Sequence, residues 1–353
     1  ANGEFCPRFI SDEQDLTQIG EQLEGATVVI VSVNSDSHSR QSLAMRNFLI
    51  ARAAKDNGAA KVLLVEPDLF FSAQDRGPRP DHGRTAHPRD IKDFKKFDGQ
   101  PFSSLMYAQL LKTAGVDGVI TVHNHSRSVQ DVFRTTFNED FENLAPTELY
   151  SHYLLHSDIV EQGQGGSNLV LCAPDKGAVE FVELMHEALG LPNVGVCKLS
   201  KERTGERKVE IQVAADSPVP LEGLEGKDVV VFDDMVRTGS TIVKACQALR
   251  AGRPRRVLFC VSHFYSSEEG RENMASGAID EILTLNTLPT ILNRDTQGRL
   301  RKKLVVLKIE KWIARHLHEY FDRHVGRLSN EFYSVDMSSK NPRWQPLALR
   351  AQR

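Results

Sequence analysis

The 353-residue sequence lacks several features that would assign it to a class at once. No apolar run approaches the ~20 residues that a membrane-spanning helix needs, and the start, ANGEF, has no apolar signal core. Lys and Arg total 44 against 47 Asp and Glu, so the basic excess that attracts nucleic acid or an anionic membrane is missing. These absences predict a cytoplasmic protein that binds neither nucleic acid nor membrane.

Cysteine is also scarce. The cysteines are odd in number and widely spaced, and no CxxC pair is present, which argues against a disulfide framework. Most of them sit inside apolar runs, so buried free thiols in a reducing compartment are predicted. The five cysteines are Cys6, Cys172, Cys197, Cys246 and Cys260.

The sequence is rich in a regular alternation of short β-branched runs with amphipathic stretches. The runs predicted as strands are Ala26–Val33, Lys61–Val65, Gly118–Val122, Asn168–Cys172, Asp228–Phe232 and Arg256–Val261. The stretches predicted as helices are Ala44–Asn57, Phe102–Ala114, Ala178–Leu189 and Ser240–Arg250. This alternation is typical of an α/β fold, in which a mainly parallel sheet is flanked by helices.

The chain is longer than one hydrophobic core comfortably serves, so two domains are expected. The alternation repeats on both sides of the Gly-rich segment Glu161–Gly166, which predicts similar α/β domains over 1–160 and 161–333. A polar, Pro-interrupted tail follows over 334–353. Residues Arg76–Gly99 are rich in Pro, Gly, Arg, Asp and His and are predicted to form a long surface loop.

The strongest functional signal is the stretch Val229–Thr241, VVVFDDMVRTGST. An apolar strand runs into Asp233 and Asp234, and a short turn leads to TGST at the start of a helix. Free N–H groups and small hydroxyls at a helix start bind anions, and Gly239 lets the backbone approach a phosphate closely. The carboxylates can accept hydrogen bonds from ribose hydroxyls. Either half alone is ordinary strand–turn–helix capping, but the two together favour a phosphoribose site.

This stretch resembles the phosphoribosyl-diphosphate signature that phosphoribosyltransferases share with the diphosphokinases that make their substrate. The resemblance implies a ribose-phosphate site but does not choose the reaction. The residues that it assigns to this site are Asp233, Asp234, Arg237, Thr238, Gly239, Ser240 and Thr241.

Other stretches resemble the ribose-phosphate diphosphokinase family in particular. EPDLFFSAQDR looks like the family's strand that ends in RQDR. Gln74, Asp75 and Arg76 match that motif and are implied to contact ATP, whereas Ala73 replaces the first Arg. One ATP contact of the family is therefore missing from this chain.

Two further blocks carry the residues that the resemblance implies for magnesium. AGVDGVITVHNHS is similar to the family's block ending in DLH, where His125 falls on the histidine that touches ATP and its magnesium, and His123 replaces the usual Asp. LVLCAPDKGA looks like the family's SPDxGG turn, in which Asp175 matches the acid that helps to hold magnesium and ribose. Taken alone, Asp175 would be a turn residue and His125 a hydrogen-bonded histidine.

The catalytic residues and the chain start complete the resemblance. Lys201-Glu202-Arg203, followed by a V-x-I strand, resembles the family's catalytic loop, and because Thr204-Gly205 follows with few apolar residues, a mobile lid is predicted. Taken alone, this run would be a solvated loop. Asn2-Gly3-Glu4 looks like the segment that reaches the adenine of a neighbouring subunit, which implies ATP contacts for Asn2 and Glu4, although an unstructured terminus explains a tripeptide equally well.

Together these matches imply two phosphoribosyltransferase-like domains and transfer of the diphosphate of ATP to the 1-hydroxyl of ribose 5-phosphate. They also imply Mg²⁺ as cofactor and a homo-oligomer built from dimers, often a hexamer. Two alternatives stay open. One is a phosphoribosyltransferase that consumes the same product, and the other is a non-catalytic relative that binds the ligands and regulates a true synthetase.

Overall fold

A computed structural model describes residues 4–10, 12–14, 16–17, 19–85, 88–203, 209–322 and 332–337, with the backbone alone at 202–203, 209–210 and 337. The chain divides into two compact units, Ala1–Ala145 and Pro146–Arg353. All five cysteines are free, four of them buried and Cys6 exposed. No helix in the described ranges is long and apolar enough to cross a membrane.

The first unit contains a four-stranded parallel sheet in which each strand pairs with the next one in the chain. In chain order its elements are β1 (Thr27–Val31), α1 (Arg40–Asp56), β2 (Lys61–Val65), α2 (Ile91–Lys96), α3 (Ser103–Ala114), β3 (Gly118–Val122), α4 (Arg127–Thr136) and β4 (Phe141–Leu144). The sheet order is β1-β2-β3-β4. The predicted bounds of β2 and β3 are confirmed.

The central strands of this unit are almost wholly apolar because helices cover a parallel sheet on its faces. Val62, Leu64 and Val119 are fully buried and form one core with Tyr107 of α3 and Phe133 of α4. The two rings lie 6.4 Å apart between centroids. Removing such side chains from water contributes roughly 1.5–3 kcal/mol each, which fixes the strands that carry the polar residues described below.

A buried carboxyl group lies directly after β2. Glu66 accepts hydrogen bonds from the Phe70 backbone N–H at 2.8 Å, the Tyr107 hydroxyl at 3.0 Å and Asn47 Nδ2 at 3.2 Å. Burial raises the pKa of Glu66 from 4.5 to about 8, because the apolar surroundings disfavour the charged form more than these donors favour it.

The segment Arg76–Gly99, predicted as a loop without regular structure, contains helix α2. It is built around Arg89, whose side chain is 5% exposed. The Arg89 guanidinium donates to the carbonyl oxygens of Gly77 and His82, both at 2.7 Å, and to Asp93 Oδ2 at 2.5 Å. A buried arginine that satisfies backbone carbonyls orders a segment whose composition alone indicates a loop.

The second unit contains an eight-stranded sheet. In chain order its elements are α5 (Thr147–His156), β5 (Leu169–Ala173), α6 (Val179–Leu189), β6 (Gly195–Arg203), β7 (Val209–Val213), β8 (Asp228–Val236), α7 (Ser240–Arg250), β9 (Arg256–Phe264), α8 (Glu268–Met274), β10 (Glu281–Leu285), α9 (Arg294–Gln297), β11 (Leu304–Lys308), α10 (Glu310–Tyr320) and β12 (Ser334–Met337). Single 3₁₀ turns span Gln164–Gly166, Lys176–Ala178, Leu221–Leu224, Pro289–Leu292 and Gly298–Lys302.

Helix α5 places the division between the units before the predicted boundary at residue 160. Tyr150 of α5 packs edge-on against Phe181 and Phe232, with ring centroids 6.4 and 6.0 Å apart. The helix therefore belongs to the core of the second unit, and the Gly-rich segment Glu161–Gly166 lies inside that unit.

The order of the second sheet is β12-β11-β10-β9-β8-β5-β6-β7. Its inner strands are parallel, and β7 and β12 pair antiparallel at the two edges. From β5 the chain moves outward to β6, returns to β8 on the other side of β5, and then continues to β9 and β10. The strand order therefore reverses between β5 and β8, and ligands of open α/β sheets bind at the carboxyl ends of the strands at such a switch point.

Several predicted bounds differ from the structure in the second unit. Helix α7 begins and ends as predicted, but β8 continues beyond Phe232 because Asp233 and Met235 still pair with Val261 and His263 of β9. The acids therefore lie within the strand. The start of the predicted tail forms β12, and residues 338–353 lie outside the described ranges.

Candidate functional site

The turn between β8 and α7 has the backbone shape of an anion site. Gly239 has a φ of 74°, in the left-handed region, and a Cβ there would lie 2.7 Å from Met274 Sδ. Only glycine fits this position without strain. Helix α7 begins at Ser240 with no side-chain cap, and Thr238, Ser240 and Thr241 are exposed. The first turn of α7 is thus uncapped and open to solvent, at the place where the sequence predicts an anion site.

Helix α8 and the residue before it donate hydrogen bonds to this turn. Ser267 Oγ donates to the Arg237 carbonyl oxygen at 3.1 Å, and Asn273 Nδ2 donates to the Thr238 carbonyl oxygen at 2.8 Å. The Arg237 guanidinium lies 5.5 Å from the ring centroid of Tyr265. Neither Ser267 nor Asn273 could be predicted from the sequence, because nothing in a polar helix about thirty residues downstream signals contact with the turn.

The acids at the end of β8 sit in a strongly negative environment. Asp233 Oδ1 accepts the Asp234 backbone N–H at 2.9 Å. Burial raises the pKa of Asp233 well above its usual range, and the neighbouring Asp234 and Asp175 carboxyls raise it further. The structure therefore brings together the three acids that the sequence assigns to ribose and metal. A ligand that supplies hydroxyl donors or a cation would relieve this charge.

Lys201 pairs with one of these acids, Asp175. Its Nζ donates to Asp175 Oδ2 at 2.8 Å, while Asp175 Oδ1 accepts the Gly177 backbone N–H at 3.0 Å. The prediction that Lys201 and Arg203 lie in a loop is wrong, because both residues belong to strand β6, which pairs antiparallel with β7. The Arg203 side chain and residues 204–208 lie outside what the structure describes.

In the first unit, two predicted ATP-contacting segments come together at the carboxyl end of β3. Ser126 Oγ donates to Asp75 Oδ2 at 2.9 Å, and Ser128 Oγ donates to the Asp75 carbonyl oxygen at 2.6 Å. These bonds attach the Gln74–Arg76 segment to the loop that carries His125. The side chains of Gln74 and His125 are exposed, whereas that of Asp75 is used to join the two segments.

Arg76 is engaged within its own segment. Its Nη1 donates to Asp93 Oδ1 at 2.8 Å, and its guanidinium lies 4.7 Å from the ring centroid of Phe97. Contact with a nucleotide would have to compete with this ion pair. Of the two predicted contacts at the chain start, Glu4 is exposed and Asn2 lies outside the described residues.

The carboxyl groups fit a magnesium ion only as a partial ligand set. Over the described ranges, no group of three His, Cys, Asp or Glu side chains is arranged to hold a metal ion. Mg²⁺ commonly binds through one or two carboxylates and takes its other ligands from substrate phosphates and water. Asp175, with Asp233 and Asp234 beside it, suits that arrangement.

Known proteins resemble the chain along most of its length. The model of the phosphoribosyl transferase domain family matches residues 155–285, which include the turn between β8 and α7. A ribose-phosphate pyrophosphokinase of Corynebacterium efficiens is 27% identical over 91% of this chain and 83% of its own length. An enzyme of the same name from Methanopyrus kandleri is 28% identical over 80% of this chain and 82% of its own.

One solved structure shares the fold. The crystal structure of phosphoribosylpyrophosphate synthetase from Mycobacterium smegmatis superimposes with a TM-score of 0.65 at 21% identity, over 85% of this chain and 84% of that protein. The expected α/β fold with phosphoribosyltransferase-like domains is confirmed.

Proposed function

We propose that this chain, which belongs to the family of ribose-phosphate pyrophosphokinases (diphosphokinases), moves the diphosphate of ATP to the 1-hydroxyl of ribose 5-phosphate. The products are phosphoribosyl diphosphate and AMP. The observation that carries the proposal is the open turn Arg237–Ser240 at the switch point of the second sheet, with Asp175, Asp233 and Lys201 at the same strand ends.

Ribose 5-phosphate occupies the turn through its phosphate. The N–H groups and hydroxyls of Thr238–Thr241 bind that phosphate, and Arg237 lies beside it. Asp233 and Asp234 accept hydrogen bonds from the ribose hydroxyls, which replaces repulsion between neighbouring carboxyls by favourable contacts. The 1-hydroxyl then attacks the β-phosphorus of ATP, and AMP leaves.

Lys201 and Arg203 act as the catalytic residues. The Lys201 ammonium pairs with Asp175. With substrate bound, it turns to the reacting phosphate oxygens and stabilises the charge that develops there, together with Arg203. The short hairpin of β6 and β7 closes over the substrate as a lid.

ATP binds through residues of the first unit. Gln74 and His125 have exposed side chains for this contact, and Asp75 holds their two segments together. Arg76 joins them by exchanging Asp93 for a phosphate oxygen, a stronger partner for a guanidinium. Asn2 and Glu4 contact the adenine.

Mg²⁺ would serve as cofactor and neutralise phosphate charge, and Asp175 of the second unit and His125 of the first are the residues that would help to hold it. We expect a homo-oligomer built from dimers, up to a hexamer as in the family; exposed apolar side chains on α1 (Met45, Leu49) and α3 (Met106, Leu110) support a protein contact. A cytoplasmic location agrees with a reaction that consumes ATP.

Incubation with ATP, ribose 5-phosphate and Mg²⁺ tests the proposal, with AMP and phosphoribosyl diphosphate measured by chromatography. Formation of both products in equal amounts is expected. A phosphoribosyltransferase would instead consume phosphoribosyl diphosphate with a nucleobase. A non-catalytic relative would bind both ligands and release no AMP, and that result would refute the proposed reaction.

A further inference from the structure

Helix α8 contacts the anion-binding turn at two consecutive carbonyl groups. Ser267, directly before the helix, holds the carbonyl oxygen of Arg237, and Asn273 near its end holds that of Thr238. The peptide bonds here are trans, so the C=O and N–H of one peptide unit point in opposite directions. Holding the Arg237 carbonyl against α8 therefore turns the N–H of Thr238 away from α8. Holding the Thr238 carbonyl does the same for the N–H of Gly239.

The approach of α8 to the turn is as close as the backbone allows. A Cβ on Gly270 would lie 2.4 Å from the Arg237 carbonyl oxygen, so only glycine permits this packing. Met274, one turn later, occupies the space beside Gly239 that a side chain there would need. Four residues at one face of this short element, namely Ser267, Gly270, Asn273 and Met274, thus contact the turn.

Helix α8 is itself fixed at both ends. Ser267 Oγ accepts the Gly270 backbone N–H at 3.1 Å, which caps the start of the helix. Lys303 Nζ donates to the carbonyl oxygens of Ser276 at 2.6 Å and Ile279 at 2.7 Å, directly after the helix. A support that is held in this way can keep two peptide groups in one orientation before any ligand arrives.

We propose that Ser267 and Asn273 are positioning residues for ribose 5-phosphate, because they aim the N–H groups of Thr238 and Gly239 at the sugar phosphate. They do not touch the ligand and act only through the turn. The inference rests on the proposed function of the turn and assigns its preorganisation to α8. An anion site formed by preset N–H groups binds more tightly than one that must reorient peptide groups on binding.

The first experiment compares Asn273→Ala with Glu272→Ala, a substitution at the exposed neighbouring position of the same helix. Calorimetric titration with ribose 5-phosphate and with ATP is combined with steady-state kinetics. For Asn273→Ala we expect an increase of about five- to tenfold in the Kd and KM for ribose 5-phosphate, the value of one hydrogen bond, with kcat and the KM for ATP nearly unchanged. Glu272→Ala should match the wild type.

The second variant, Gly270→Ala, separates positioning from helix stability. Alanine favours a helix over glycine, yet its Cβ would push the Arg237 carbonyl away. Weaker ribose 5-phosphate binding with unchanged ATP binding is expected, as for Asn273→Ala. Unchanged ribose 5-phosphate binding in both variants, or an equal loss for both ligands, would overturn the inference.

The two proposals fail in different ways. If the wild type binds ribose 5-phosphate but forms no AMP, the proposed reaction is refuted, and the binding pattern of the variants still supports α8. If AMP forms while Asn273→Ala and Gly270→Ala bind ribose 5-phosphate like the wild type, the reaction stands and the role of α8 is refuted.

Discussion

Each unit has helices around a mainly parallel sheet, but the residues at the carboxyl ends of the strands differ in exposure and hydrogen bonding between the two units. In the described part of the first unit the strand order never reverses, and Glu66 and Asp75 are hydrogen-bonded within the protein. In the second unit the order reverses between β5 and β8, and Thr238 and Ser240 at that point stay exposed. The second unit thus exposes the helix turn at its switch point, whereas the first unit exposes Gln74 and His125 beside carboxyl groups that are already hydrogen-bonded.

The largest effect on turnover is expected at Lys201, in the second unit. Lys201→Ala should lower kcat by about 10²–10³, because a cation that stabilises developing phosphate charge is lost, while ribose 5-phosphate binding changes little. Steady-state kinetics and calorimetry measure the two effects. Lys198→Ala, on the same strand but paired with Glu183, is the matched control and should retain activity. An equal loss of turnover and sugar-phosphate affinity at Lys201 would contradict the catalytic role.

In the first unit the strongest expected effect is on stability, at Glu66. Its folded pKa of about 8 lies above the unfolded value, so its protonated form stabilises the fold fully below about pH 4.5, and this contribution is lost as the pH rises through 8. Between pH 5 and pH 9 the loss should be about 4 kcal/mol. Urea unfolding at pH 5 and pH 9 measures it. Glu66→Gln, which cannot ionise, should lose less stability over this interval; an identical pH dependence would mean that Glu66 titrates normally.

At Gly239 any side chain would meet both backbone strain and a steric contact. Gly239→Ala should cost about 2 kcal/mol of stability and weaken ribose 5-phosphate binding, because alanine combines a left-handed φ with contact to Met274. Gly226→Ala is the control, since Gly226 has a φ of 69° and open space around its Cα. Thermal unfolding and calorimetry should show that only Gly239→Ala affects binding. Equal losses of stability in Gly239→Ala and Gly226→Ala would mean that the turn shifts to accommodate the methyl group, contrary to this prediction.

The smallest effect is expected at Ser128, and it tests whether the two units serve different ligands. Ser128→Ala removes the bond to the Asp75 carbonyl, so the KM for ATP should rise about fivefold, with the KM for ribose 5-phosphate unchanged. Asn273→Ala should give the opposite pattern. A change in the ribose 5-phosphate KM for Ser128→Ala would show that the first unit also contributes to sugar-phosphate binding.

The sequence predicted those elements whose signals are local. Lys61–Val65 and Ser240–Arg250 were predicted correctly because an apolar run marks the first and a Gly-Ser start marks the second. Strand β6 was missed at Lys201 because a charged strand near a sheet edge has the composition of a solvated loop. The inclusion of Asp233 in β8 follows from pairing with Val261, a contact that has no local signal.

The sequence predicted a candidate site where the residues assigned to a ligand form a compact motif, as in Asp233–Thr241. The residues that hold this motif in place were not predicted. Ser267 and Asn273 donate hydrogen bonds to backbone carbonyl groups, which every residue has, so the sequence carries no mark of these contacts. Arg89 is similar, since its partners at Gly77 and His82 are backbone atoms. Asp175 and Lys201 came from separate family-like blocks, and only the fold shows that they form an ion pair.

The ion pair of Lys201 with Asp175 joins the proposed catalytic cation to the proposed metal ligand. In the proposed reaction the ammonium leaves this carboxylate for a phosphate oxygen, and the same step frees the carboxylate for a cation. Both side chains are more than a third exposed, at 39% and 37%, so solvent screens the pair and breaking it costs only about 0–1 kcal/mol. The exchange of partners therefore adds little to the free energy needed for substrate binding.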